Sequence, residues 1–499
     1  MTLKIILSLF TTEHLLLAIG GNIIGIIFGA IPGLSSSTAL ALLLPVSFAM
    51  TAETGIVFLG NVWIGGVSGG LIASILLGIP GSPSSIATCY DGYPMSQKGE
   101  SVKALGIGIL SSFIGTVGSA LIAYKFCPVL AKLAIKLGPW ELFSLCFCAI
   151  VLVVTISKGN MWNGLIAGCI GLLLSSVGYA PIDGAQRFDF GIISISGGIN
   201  LLSLVLGVFV LGHIMKNYGK GDMVNPDVHI DGIKGFGFSL KEYFSHTVLI
   251  IKSFIIGLWI GFLPGMGSGL SNMVAYASAK GSSKEPEKFG TGCVEGVIAS
   301  EVSNNAAVGG AIIPMIALGI PGDTPTTLLL SGLIVHGIEA GPLLLTNSST
   351  FVYTFFATVF FAAIITLLLQ FFGMRSFPLI LRIPYHFLFA AISAICFVGA
   401  FSNTNSLSNC WLMLVFVGVG LFFTYAEFPT SPMILAFILG TMLESNLRKG
   451  LTYSDKGFIE FLTRPISGLL LALAFISLFW PFVRDNVLAK RKAKAQANE

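Results

Sequence analysis

Charge is scarce in this 499-residue chain: Asp, Glu, Lys and Arg together make up 10% of it, with 27 basic residues against 23 acidic ones. Soluble domains carry about 25%, so there is too little charge here to cover a surface that faces water. The net charge of +4 is small and dispersed, which argues against a nucleic-acid partner. The one basic block, AKRKAKAQ (489–496), reads as a solvated tail at an anionic membrane face. Cysteine pairing is missing as well. Cys89, Cys127, Cys146, Cys148, Cys169, Cys293, Cys396 and Cys410 form no C-x-x-C pair, so they read as small apolar residues and indicate neither a disulfide framework nor a zinc site. The six histidines are scattered and no H-E-x-x-H occurs. The N-terminal MTLKIILSLFTTEH lacks a small-residue cleavage site and is expected to be retained.

What is abundant is apolar length. Hydrophobic residues make up 54% of the chain, and the mean hydropathy is +0.89. Runs such as LGIGILSSFIGTVGSALIAY (105–124) and PISGLLLALAFISLFWPFV (465–483) match the ~20 residues that cross a bilayer core. They are continuously apolar and do not alternate, as helices rather than barrel strands require. The expectation is an all-α polytopic membrane protein with roughly 12 transmembrane or re-entrant segments, several of them interrupted.

The text of the chain also repeats. In GNIIGIIFGAIPG (21–33), Gly21, Gly25, Gly29 and Gly33 stand four apart around Pro32; in GLWIGFLPGMGSG (257–269), Gly257, Gly261, Gly265 and Gly269 do the same around Pro264. Further on, VSGGLIASILLGIPGSPSS (67–85) is answered by VGGAIIPMIALGIPGDTPTT (308–327). Two landmarks in the same order indicate two related, inverted repeats, 1–216 and 246–499, joined by a polar loop, 217–245. Glycines four apart share a helix face and let another backbone approach, so helix packing accounts for most of the ladder.

The Pro-Gly pairs do something further. Proline removes a backbone donor and clashes with the preceding turn, so each pair should end or kink a helix within the bilayer. Freed backbone groups at that depth are tolerated only inside protein or beside a wet cavity. Small hydroxyl residues follow each break, and the free N–H groups at a new helix start suit a carboxylate. The candidate substrate-binding residues are therefore Pro32, Gly33, Ser35 and Ser36 at the first break and Gly78, Pro80, Gly81, Ser82, Ser84 and Ser85 at the second. The third supplies Pro264, Gly265, Gly267 and Ser268, and the fourth Gly319, Pro321, Gly322, Thr324 and Thr326. No Lys or Arg lies in any of the four. The plainer role for these hydroxyls is helix capping.

Asp323 lies inside the fourth break, and EGVIASEVSNNAAVGG (295–310) places Glu295, Glu301, Asn304 and Asn305 upstream of it. Asn side chains and freed carbonyls offer oxygens to a sodium ion, whereas Glu or Asp serves a proton. Glu301, Asn304, Asn305 and Asp323 are thus candidates for ion coupling, while an interfacial helix start is the alternative for Glu295 and Glu301. Asp91 is expected to shape a turn at the membrane edge. Gly66 to Gly70, GVSGG, fits the G-x-S-G of an intramembrane serine protease, with Ser68 as nucleophile and His213 or His336 as base; in a chain with 60 glycines the match is cheap. A channel or scaffold subunit without coupled transport is a further alternative, which glycine ladders alone would permit.

The segments GAIPGLSSSTALALLLP, LLGIPGSPSS with DGYPMSQKGE, GFLPGMGSGLSNMVAYASAK, FGTGCVEGVIASEVSNNAAVGGAIIPMIALGIPG and HGIEAGPLL together resemble one family over nearly the whole chain. The chain is similar to the large membrane subunit of the tripartite tricarboxylate transporters (the TctA family). The resemblance implies a bacterial inner-membrane secondary transporter that imports carboxylates of the di- or tricarboxylate class on an ion gradient, Na+ or H+, with no cofactor and no catalysis. It also implies two partners, a small membrane subunit and a periplasmic solute-binding protein that delivers the substrate. The family's Pro-Gly motifs fall on the four breaks, and its acidic and asparagine segment falls on Glu295, Glu301, Asn304 and Asn305. Two departures stand out: GNVWIGGVSGG (60–70) lacks tyrosines before its glycine pair, and Asp323 stands where a small hydroxyl residue is common. An ionised Asp323 would repel a carboxylate unless a cation or proton sits with it.

Overall fold

A computed structural model describes residues 11–156, 161–212, 215, 237–381, 385–402 and 405–479. The basic tail, His213 and most of the polar loop 217–245 lie outside the described residues. In chain order, the first five larger helices are α1 (Thr12–Ala30), α2 (Ser36–Ser47), α3 (Ala52–Leu77), α4 (Ile86–Gln97) and α5 (Ser101–Ala134). Then come α6 (Pro139–Ile156) and α7 (Met161–Ser175), and a two-residue antiparallel hairpin of β1 (Gly178–Tyr179) and β2 (Gln186–Arg187). The second half holds α8 (Thr247–Phe262), α9 (Gly267–Ser282), α10 (Val294–Leu318), α11 (Thr324–Val335) and α12 (Ser349–Gly373). The last are α13 (Tyr385–Ser402), α14 (Leu407–Tyr425), α15 (Thr430–Thr452) and α16 (Pro465–Phe479).

The chain is all-helical apart from that hairpin, among the described residues. Among the described residues, five helices are long and apolar enough to cross a bilayer, and seven shorter apolar ones accompany them. The short ones have physical causes. At 1.5 Å per residue, the 12 residues each of α2 and α11 reach about 18 Å, well under a ~30 Å hydrocarbon core.

Two compact units divide the chain. The first, Met1–Ile135 with Leu201–Thr424, contains all four Pro-Gly breaks. Its centre is α3, every residue of which from Thr54 to Leu76 is buried, and α10, buried from Gly296 to Leu318. Each packs on the glycine face of a preceding helix. A Cβ added to Gly25 or Gly29 on α1 would fall on the carbonyl oxygens of Val62 and Gly66 on α3; one added to Gly257 or Gly261 on α8 would fall on those of Ser303 and Ala307 on α10. In the reverse direction Gly69 meets the Ile26 carbonyl, and Gly310 that of Leu258. These are backbone-to-backbone contacts, so here glycine is required by the packing itself. Across the halves, α5 packs on α10, with Gly115 against the Val302 carbonyl, and α12 packs on α3, with Gly60 against Thr358.

The second unit, Lys136–Asn200 with Tyr425–Glu499, gathers α6, α7, α15 and α16. Gly171 on α7 lies against the Met433 carbonyl of α15, and Ser144 on α6 bonds Ser467 on α16 at 2.7 Å. Arg187 on β2 grips Glu444 on α15 with two hydrogen bonds, 2.7 and 3.0 Å. The same α15 carries Arg448, 2.9 Å from Asp183 and 2.8 Å from Glu444. Arg464 lies 3.7 Å over the ring of Trp140.

Candidate substrate site at four helix breaks

Each break is a helix end followed by a new helix start. Helix α3 stops at Gly78 and α10 stops at Gly319, both left-handed, with φ of 68° and 72°. Glycine reaches that region without a Cβ penalty, and this is the usual way to end a helix. The chain then turns extended at Ser82 (φ −145°) and at Asp323 (φ −156°) before winding again. Ser85 closes the first of these starts: its hydroxyl accepts from the Ser82 N–H at 3.3 Å and donates to the Ser82 carbonyl at 3.0 Å. Thr326 closes the second in the same way, accepting from the Asp323 N–H and donating to its carbonyl, both at 2.9 Å. Ser85 and Thr326 are fully buried, so their first task is the capping role. Ser35 caps α2 by accepting from Thr38 N–H at 3.2 Å. At the third break Gly265 and Gly267 have φ of 77° and 56°.

The four breaks lie in one neighbourhood of the first unit. Gly81 sits against the carbonyls of Gly29 and Gly70, which ties the second break to the end of α1 just before the first. Gly265 N–H donates to the Gly322 carbonyl at 2.7 Å, and Gly267 sits on the Asp323 side chain, which joins the third break to the fourth. The third also meets the second: Gly269 faces Pro83, and the Asn272 amide donates to the Ser84 carbonyl. Finally α2 packs along α11, with Leu44 against Gly332. Pro32, Ser36, Gly81, Ser82, Ser84, Gly319, Pro321 and Gly322 are buried, whereas Gly33, Ser35, Gly78, Pro80, Pro264, Gly265, Ser268, Asp323 and Thr324 are only partly covered. Of the candidate hydroxyls, those of Ser35, Ser268 and Thr324 belong to partly covered residues, whereas Ser36, Ser82, Ser84, Ser85 and Thr326 are packed in. Asp323 uses Oδ1 for its cap, accepting from Thr326 N–H at 3.0 Å and from the Thr326 hydroxyl at 2.7 Å.

The acidic segment behaves differently from its alternative as an interfacial helix start. Glu295 does lie in the first turn of α10, 40% exposed at the side chain, with His246 at 3.7 Å. Glu301, Asn304 and Asn305 lie mid-helix and are buried. Glu301 Oε1 accepts from the Thr88 hydroxyl at 2.6 Å, and Oε2 from the Ser112 hydroxyl at 3.1 Å and the Asn305 amide at 3.3 Å. Both amide atoms of Asn304 lack a hydrogen-bond partner among the described residues.

Asp91 overturns its expectation as an edge turn. It is fully buried within α4. One carboxylate oxygen accepts from the N–H groups of Gly290, Gly292 and Cys293 at 2.8 to 2.9 Å, the other from the Tyr276 hydroxyl at 2.8 Å. It therefore anchors the loop that leads into α10. Ser68 donates to Gln370 Oε1 at 2.8 Å, and His336 Nε2 lies 3.3 Å from Ser47; His213 is outside the described residues. The cysteines divide: Cys127, Cys146, Cys148 and Cys396 are buried, Cys169 is exposed, and all eight are free.

Sequence reasoning missed Asn272, Thr88, Ser112 and Gln370. A signal existed for each. Every one is a polar residue inside an apolar or small-residue run, and such a residue in a membrane helix needs a partner.

Residues 15–435 match the family described as the tripartite tricarboxylate transporter TctA family. Among curated proteins, the chain is 31% identical over 454 residues to the uncharacterized 52.8 kDa protein in the TAR-I ttuC' 3' region of Agrobacterium vitis, covering 91% of this chain and 90% of that one. It is also 31% identical over 220 residues, 44% of this chain, to an uncharacterized protein in the TAR-II ttuC' 3' region of the same organism, of which it covers 91%. No solved structure matches. With four broken helices gathered in one unit and the family's sequence pattern running from α1 into α15, the chain belongs to the TctA family: it is a multi-pass membrane subunit of a tripartite tricarboxylate transporter.

Proposed function

We propose that this subunit is the permease that carries a di- or tricarboxylate across the bacterial inner membrane on a sodium or proton gradient. A periplasmic solute-binding protein would hand it the substrate, with a small membrane subunit alongside. The observation that carries the reading is the linkage of four helix breaks in one unit: the second and fourth meet the third at the start of α9, and Gly81 ties the second to the end of α1 before the first. Helix starts present free N–H groups with partial positive charge, so several starts at one place suit a ligand with several carboxylates even without Lys or Arg. The anion belongs nearer the first and second breaks, whose hydroxyls are neutral. Asp323 would need a cation or proton beside it whenever the substrate is bound.

The contacts also support two repeats spanning 1–216 and 246–499. The pair Gly25 and Val62 recurs as Gly257 and Ser303, shifted by 232 on the glycine helix (257 − 25) and 241 on its partner (303 − 62). The same shifts carry Gly29 and Gly66 to Gly261 and Ala307, and Ile26 and Gly69 to Leu258 and Gly310. Related repeats with broken helices at matching places are the architecture of alternating-access transporters, in which one repeat moves against the other around a fixed site.

The test is uptake of a panel of mono-, di- and tricarboxylates into vesicles that hold the subunit with its partners, with and without sodium. Gly81→Leu and Gly322→Leu, expressed at wild-type levels, should lose uptake, because a side chain at Gly81 meets the Gly29 carbonyl at the end of α1 and one at Gly322 meets the Gly261 carbonyl near the end of α8. Normal uptake in both would sink the site. Flux indifferent to imposed sodium and proton gradients would favour a channel instead.

A further inference from the structure

Between α3, α5 and α12 lies a partly open cavity of about 10 Å³, close to the room one water molecule needs. Its polar wall is made by Ser68, Ser112, Thr116, Thr366 and Gln370. Gln370 is fully buried; its Oε1 accepts from Ser68, and its Nε2 has no partner among the described residues. Most of the surface that faces this space is apolar, and the unmet Gln370 amide is the donor that a water there would satisfy. Ser112, on the opposite wall, is the residue whose hydroxyl donates to Glu301.

Glu301 itself is surrounded by neutral donors. The hydroxyls of Thr88 and Ser112 and the amide of Asn305 reach its carboxyl group, and none of the ion pairs among the described residues involves it. An ionised, unpaired carboxylate at such depth is costly, and a bound proton or cation removes that cost. Asn305 decides between the two. Its Nδ2 lies 3.0 Å from the Glu301 backbone carbonyl, which can only accept, so the amide N–H rather than its oxygen is turned toward the carboxyl group and toward Ser112. Thr116 holds the far side by donating to Asn305 Oδ1 at 3.3 Å. A donor aimed into the group repels a metal cation, and because such donors also stabilise the carboxylate they suit a carboxyl that binds a proton and gives it up again.

The titratable and charged neighbours are few. From α4 they are Cys89, whose thiol donates to the Ser85 carbonyl, and Asp91, held by three loop N–H groups and Tyr276 of α9. On α5 Lys103 pairs with Glu242 at 2.7 Å, and on α8 Lys252 bonds Ser278 and Ser282. The helix start of α11 carries Asp323, whose Oδ1 is engaged by Thr326. The apolar contacts from α3 on this side of α5 are Leu71 and Ile75.

We propose that Glu301 is a proton-carrying site, and that its proton is exchanged through the Ser112 hydroxyl with a water held in the cavity between α3, α5 and α12. In the step, the Ser112 hydroxyl, which donates to Glu301 in the structure, turns to donate to the water; the Glu301 O–H bond then breaks and its proton passes to Ser112 Oγ while Ser112's own proton passes to the water. A carboxylate and a protonated water remain, and the reverse step restores both. The proposal rests on the transporter reading for its purpose, which is to couple a proton to substrate movement, but the site itself can be read without transport.

Infrared difference spectroscopy of the purified subunit in detergent tests the site directly. A protonated-carboxyl C=O band is expected that disappears in Glu301→Gln, shifts in Thr88→Val through loss of the 2.6 Å hydrogen bond, and exchanges in D2O more slowly in Ser112→Ala than in wild type. Should Glu301→Gln fail to fold, the Thr88→Val shift assigns the band. A band unmoved by any of the three substitutions overturns the proposal, as does one that vanishes when sodium replaces choline at constant pH. In vesicles, Glu301→Gln should lose accumulation driven by a pH gradient while keeping exchange of internal for external substrate. Undiminished proton-driven accumulation in that variant would also overturn it. If wild type moves no carboxylate, the transport reading fails and the infrared result still decides the proton site.

Discussion

Helices α3 and α10 are built and packed alike yet differ in chemistry. Both are buried along nearly their whole length, end at a left-handed glycine and lie on a glycine-lined helix through carbonyl contacts of the same pattern. Counted back from those terminal glycines, Glu301 of α10 stands where α3 has Gly60, Asn304 where it has Trp63, and Asn305 where it has Ile64. At Gly60 a methyl group of Thr358 from α12 fills the space; at Glu301 Thr88 and Ser112 supply hydroxyls instead. The backbone packing tolerates little variation because carbonyls and glycine Cα atoms touch. The side chains that point elsewhere are free to become apolar in one copy and polar in the other. The breaks after these helices differ likewise, with neutral Ser82 in one and Asp323 in the other.

The strongest way to break the comparison is at the shared packing. Gly25→Leu and Gly257→Leu should both prevent assembly, each costing at least the ~1 to 3 kcal/mol of an overpacked core, because the new side chain meets backbone that cannot rotate away. Size-exclusion profiles of detergent-solubilised protein would read this. A monodisperse wild-type profile from one of the two would mean that the copies do not pack alike. Next in size is an exchange of chemistry between the breaks. Ser82→Asp should abolish carboxylate uptake by placing a second negative charge among the neutral hydroxyls. Asp323→Ser should leave the fold nearly intact, since a serine oxygen can also accept from Thr326 N–H, at a cost of about 1 kcal/mol or less. Equal uptake by Ser82→Asp and wild type would remove the distinction drawn between the breaks.

The smallest effect lies with a carboxylate that does have cationic partners, and it sharpens the contrast with Glu301. In the second unit the hydrogen bonds from Arg187, aided by Arg448, hold the Glu444 carboxyl below its ordinary value of 4.5. A lowered value in the folded state means that the stabilisation is present above pH 4.5 and is lost as pH falls through the lowered value. Protection from hydrogen exchange across the hairpin of β1 and β2, taken relative to the intrinsic amide rate at each pH, should therefore fall below pH 4.5, and in Glu444→Gln it should lose that pH dependence. Protection insensitive to pH in both proteins would show that the pair contributes nothing measurable, as many partly exposed pairs do.

Much of the site was legible because its signals are local. Pro-Gly pairs, a hydroxyl one or three residues on, and glycines four apart are decisions of backbone sterics within a few residues. Ser85 and Thr326 turned out to act as caps because the 3-residue spacing that makes them look like ligands is also the spacing of a capping box. Asp91 was misread for the opposite reason. Its neighbours DGYP look like a turn, yet its partners lie 185 to 202 residues away. Glu301 could be picked out as an intramembrane acid, but Thr88 and Ser112, 213 and 189 residues away, could not be paired with it from spacing.

By itself the sequence determined that this protein lives in a membrane, is helical, breaks its helices at Pro-Gly and carries matching glycine and Pro-Gly motifs in two places. Hydropathy, backbone sterics and self-similarity need no third dimension. Only the tertiary structure decided that the second and fourth breaks meet the third at the start of α9, that Asp91 anchors the loop before α10, and that Glu301 faces hydroxyls and an amide N–H. Those outcomes depend on which helices come close enough for carbonyls to touch glycine, and that is set by packing between segments some two hundred residues apart.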